Sequence, residues 1–113
     1  MAVTPVLITK TVTTAGTRVQ VTTDTSIKPS VVYFEALATN TGQIYIGDSS
    51  VSSTVYFARL TIPSTTSAPS WSISTVDGAG RASGTELQLS NFWIDASVSG
   101  EKVQITYMYE IGG

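Results

Sequence analysis

Thr, Val and Ile fill 39 of the 113 positions, and they recur in short runs of alternating apolar and polar residues. Side chains branched at Cβ lose rotamer freedom in a helix but pack well on a pleated surface. Good helix formers are scarce, with only five Leu and two Met. The runs return about every ten residues, separated by clusters of Gly, Pro, Asn, Asp and Ser, the spacing of a sandwich or barrel. The chain is therefore expected to be all-β: an antiparallel β-sandwich, jelly-roll-like, of about eight strands with little or no helix. High Ser and Thr with 12% charged residues also suits a flexible stalk, but ten aromatic residues sit inside the apolar runs, and stalks lack them. At this length one core is the limit, so residues 1–113 read as a single domain, with 1–5 as an N-terminal arm.

Along the chain, residues 6–13 alternate Val6, Ile8 and Val12 against Leu7, Thr9 and Thr11, and a turn at 14–17 leads to 18–22 as the second half of a first hairpin. Residues 31–38 form a strong strand with Val32, Phe34, Ala36 and Ala38 on one face, and the tip Asn40-Thr41-Gly42 turns the chain into 43–46. Residues 54–62 read as a strand with bulk on both faces: Tyr56, Leu60 and Ile62 on one, Val55 and Phe57 on the other. Residues 71–76 are a short strand with Trp71 and Ile73 inward, and 77–85 a Gly-rich loop. Leu87 and Leu89 share one parity while Phe92, Ile94 and Ala96 share the other, so a bulge or tight turn at Ser90-Asn91 must intervene. A turn at 97–100 leads to a last strand at 102–110, with Val103, Ile105, Tyr107 and Tyr109 along one face.

The chain has no Cys and no His, which removes the usual zinc and iron–sulfur sites, disulfides, and imidazole or thiol catalysis. Six Lys and Arg against eight Asp and Glu leave no basic footprint for nucleic acid. No run is long and apolar enough for a membrane span, and MAVTPVLITK lacks the form of a secretion signal. The Gly-rich stretch 78–84 matches neither G-x-G-x-x-G nor a P-loop. No pair among the eight carboxylates is singled out for acid–base work, and Asp48 with Asp95 sits in no Asp-x-Asp calcium loop. Lys10, Lys28 and Lys102 occupy no S-x-x-K motif. The expectation is a protein that is not an enzyme and carries no cofactor and no metal.

About half of the aromatic residues are expected in the core. Trp93 is opposite in parity to Phe92 and Ile94 and should face outward, beside outward Tyr45, Val55 and Phe57. These four are the expected subunit contact, because aromatics concentrate at desolvated contact centres.

The strings ALATNTGQIYIGDSSVSST (36–54) and LSNFWIDASVSGE (89–101) resemble the small all-β virion proteins of tailed bacteriophages, in a TNTG-like tip, an IYVGD-like strand and a later YVDA-then-SGE hairpin. The resemblance covers roughly a third of the chain, and residues 56–85 exceed the shorter members, with an added Trp71 strand. It implies a capsid decoration or cement protein on the phage head surface. The implied partners are capsid or other virion proteins and further copies of the chain, as a homotrimer. A second reading is a carbohydrate- or receptor-binding module of a phage tail or fibre, using Trp71 and Trp93.

Overall fold

Period-two burial marks the longest strands. In β3 (Val31–Ala36), Val32, Phe34 and Ala36 are buried while Tyr33 is exposed, and in β10 (Glu101–Met108), Val103, Ile105 and Tyr107 are buried in turn. The computed structural model describes residues 5–64, 66–74, 76–77, 80–81 and 87–108. The other strands are β1 (Pro5–Val12), β2 (Val19–Gln20), β4 (Ile44–Gly47), β5 (Ala58–Leu60), β6 (Ser70–Ser74), β7 (Val76–Asp77), β8 (Gly80–Arg81) and β9 (Trp93–Ala96). A single 3₁₀ turn at Leu89–Asn91 completes the described elements.

Two antiparallel four-stranded sheets run β1-β10-β3-β6 and β2-β9-β4-β5, with β7 and β8 as a separate ribbon. One core lies between them. Val32, Phe34, Val103 and Ile105 of the first sheet and Ile44, Ile46, Leu60 and Ile94 of the second are 2% exposed or less and belong to one cluster. Phe34 anchors it, with Trp71 and Phe92 each 5.7 Å away between ring centres.

The pairings nest: β1 with β10, β2 with β9, β3 with β6, and β4 with β5. They are the rungs of one long folded hairpin, and the β10–β3 and β9–β4 pairings close it into two layers. The chain therefore changes sheet at several connections where the sequence suggested a local hairpin. Residues 6–13 and 18–22 do not pair with each other, since β1 belongs to the first sheet and β2 to the second. The same holds for the turn at 97–100, which joins β9 to β10 across the core. Alternation records which face is buried but not which strand lies alongside.

The parity break falls where expected. Leu87 and Gln88 lie in no strand, and Glu86 falls outside the described residues; Leu89–Asn91 is a 3₁₀ turn that buries Leu89 and lets Phe92, Ile94 and Ala96 enter the core. Residues 1–4 of the expected arm lie outside the described residues, and Pro5 opens β1. Of the Gly-rich loop, Asp77, Gly80 and Arg81 lie in the β7–β8 ribbon and the rest falls outside the described residues.

Candidate functional site

In the second sheet, Ile44 and Ile46 face the core, which places Tyr45 and Gly47 on the outer side. An outer face normally meets water, yet all four residues of β4 are buried. The cause is the connection from β4 to β5. Asp48 starts it with a local turn: its Oδ1 accepts the Ser50 backbone N–H at 2.9 Å and the Ser50 hydroxyl at 2.6 Å, and its carbonyl accepts the Val51 N–H at 3.0 Å. Ser52 and Val55 exchange backbone hydrogen bonds at 2.8 and 3.3 Å, doubling the chain back. The Phe57 N–H then donates to the Ile46 carbonyl at 2.7 Å and starts the β4–β5 ladder.

This loop folds over the sheet. Val51 is 1% exposed, and a Cβ on Gly47 would stand 3.0 Å from its Cγ2. The Tyr56 ring stacks on Tyr45 with centres 5.6 Å apart and planes at 29°. Gly47, Val51, Tyr45 and Tyr56 thus make a small second cluster on the outside of the sandwich. Residues 54–57 are consequently loop, and the strand expected at 54–62 shrinks to Ala58–Leu60.

The four expected contact residues divide accordingly. Tyr45 is enclosed by its own chain, 6% exposed, with its hydroxyl donating to Gln43 Oε1 at 3.2 Å, so it offers no free ring to a neighbour. Val55 and Phe57 stand at the loop crest, 51% and 58% exposed. Trp93 is half-buried, and together with Phe57 it lines an open groove of about 320 Å³ edged by Asp48, Ser49, Asn91 and Phe92. Across the loop lies a second, more polar depression of about 410 Å³, bordered by Tyr45, Asp95, Ser52 and Ser97. Trp71, the other ring of the sugar-binding reading, packs on Phe34 at the core margin. No family model, curated protein or solved structure matches the chain.

Sequence reasoning missed Tyr56, which it assigned to the same face as Leu60. Gly47-Asp48 with Ser50 was the available signal, a turn-forming group directly after a strand. It also gave the carboxylates too little structure. Asp95, 3% exposed, accepts backbone N–H groups from Gly16 at 3.0 Å and Ala96 at 2.8 Å, and Glu101, 4% exposed, accepts the Gly42 N–H at 2.5 Å. Asn40 brackets Lys102, donating to its carbonyl at 2.7 Å and accepting its N–H at 2.9 Å. The two strings behind the resemblance thus meet in space, and their polar residues fasten one sheet to the other. Among the described residues, no three of His, Cys, Asp or Glu gather where they could share an ion.

Proposed function

We propose that the chain is a structural virion protein of a tailed bacteriophage, a decoration protein that cements the head by bridging capsid subunits. The observation that carries this reading is the crest Val55-Tyr56-Phe57 beside the Trp93 groove. Val55 and Phe57 stand more than half exposed, with Tyr56 partly covered between them, on a loop held by backbone hydrogen bonds and the Tyr45–Tyr56 ring stack. Rigid apolar patches of this kind serve contact, and they cost little ordering entropy when covered. We read the nested strand pairing as a jelly roll, an architecture used in viral coats.

The test uses particles lacking the protein and the purified chain. Phe57→Asp and Trp93→Asp should each lower affinity for the particle about thirtyfold or more, the order expected when an aromatic anchor of a contact centre is lost, about 2 kcal/mol or more. Circular dichroism should show both variants folded. Full occupancy by both variants overturns the reading.

The groove favours one second reading, a carbohydrate- or receptor-binding module of a tail fibre, because it combines the Trp93 and Phe57 rings with the polar groups of Asp48 and Asn91. In that case Trp93→Ala abolishes binding on a glycan array, and the wild-type chain leaves depleted heads undecorated.

A further inference from the structure

Of the four strands that border the two sheets, β2 has 2 residues, β5 has 3 and β6 has 5, whereas β1 runs for 8. The hydrogen bonds of β10 reveal which backbone groups of β1 are free. Lys102 and Met108 direct their backbone groups toward the β3 side, to Leu37, Asn40 and Ser30. Even-numbered residues of β10 therefore bond away from β1 and odd-numbered ones toward it. Through the register Val6↔Tyr107, Ile8↔Ile105 and Lys10↔Val103, the even residues of β1 use their N–H and C=O groups on β10. Leu7, Thr9 and Thr11 point theirs away from the sheet. All three are exposed, and β1 pairs with no other described strand.

We propose that β1 is a self-association edge, joining antiparallel to β1 of a second copy across a twofold axis at Thr9. Two residues that guard edges elsewhere, a proline and an inward-facing lysine, here select the register. With Thr9 opposite the partner's Thr9, Leu7 faces the partner's Thr11, Thr11 faces the partner's Leu7, and the three pairs exchange about six hydrogen bonds. Lys10 then lies opposite the partner's Ile8. A shift of the pairing one way sets Lys10 against the partner's Lys10, two like charges directly opposed. A shift the other way brings Pro5, which has no N–H, into the ladder. Only the Thr9 register uses every free donor and opposes no charges. The exposed Leu7 side chain gains the Thr11 methyl as cover, and the half-buried Val6 and Ile8 come to lie inside a continuous eight-stranded sheet. The pairing is a dimer, in contrast to the trimer that the resemblance implies, and it does not rest on the virion reading.

Sedimentation of the isolated full-length chain over a concentration series tests it, with a monomer–dimer equilibrium expected. Thr9→Pro removes a free outward donor and none that serves β10, so it should weaken association at least tenfold while circular dichroism stays unchanged. If Thr9→Pro disturbs the fold, charge pairs supply the same test. Leu7→Lys with Thr11→Lys opposes like charges and should weaken the dimer, and Leu7→Lys with Thr11→Glu should restore it in a salt-sensitive manner. A chain that stays monomeric at millimolar concentration, that forms trimers, or whose dimer ignores the charge pairs overturns the proposal. Particle occupancy, read separately with Phe57→Asp, reports on the virion reading alone.

Discussion

Glu101 and Gly42 show how single residues hold the two layers in place. The carboxylate accepts the Gly42 N–H, and a Cβ on Gly42 would stand 2.5 Å from Ser97 Oγ and 2.6 Å from Val98 Cγ2. Gly42→Ala should therefore force Ser97 and Val98 aside, at a cost of about 1–3 kcal/mol in thermal or urea unfolding. Glu101→Ala leaves a buried donor unpaired and costs about 1–3 kcal/mol. Because both substitutions act on one joint, the double variant should lose less than the sum. Asp48 sets a different expectation. The Ser50 hydroxyl, and then the Ser50 N–H, hold its carboxyl below the usual range. The folded state thus binds that proton more weakly than the unfolded chain does. Its contribution is complete above the ordinary carboxylate range and fades as the pH falls through the lowered folded value. Carboxyl NMR titration should show the Asp48 midpoint rise toward the ordinary value in Ser50→Ala.

At the scale of elements, the loop over β4 departs most from what alternation implies. Residues 54–62 alternate well enough to read as a strand, yet Gly47 leaves a hollow that Val51 fills, and the chain doubles back to reach it. Tyr56→Ala should uncover Tyr45, lower stability by about 1–2 kcal/mol, and reduce binding by Phe57 because the crest loses its stacked support; near-ultraviolet circular dichroism would register the loss of the Tyr pair. The strand interiors were legible, as Val32, Phe34, Ala36, Phe92, Ile94 and Ala96 show, because burial on one face writes a period of two into the letters. Tyr45 was misjudged for the complementary reason: parity placed it correctly on the outer face, but nothing in a period of two reports that a loop returns to cover that face. The shared groove of Phe57 and Trp93 was half legible. Both rings were expected outward, whereas their meeting depends on β4 lying between β5 and β9.

For the whole molecule, the nested pairings make most of the fold non-local. β1 joins β10 over nearly the full length of the chain, and β2 joins β9 across a separation of 75 residues, Val19 against Ile94. Closing such loops precedes the gain from the contacts they bring, so folding should take milliseconds to seconds, slower than a helical chain of this size. Stopped-flow tryptophan fluorescence measures it. Phe34→Ala, at the junction of Trp71 and Phe92, should cost about 3–5 kcal/mol and leave little folded protein.

The register that sets Pro5 beside Met108 also gives the sandwich a mechanical direction. Tension applied through these two residues loads one end of an antiparallel ladder, so its bonds rupture one after another and the strands peel apart like a zip. Tension carried between Pro5 and Glu101, at opposite ends of the same ladder, instead slides β1 along β10 and loads its bonds together. A molecule held by those two residues should therefore resist far greater force than one pulled from that open corner.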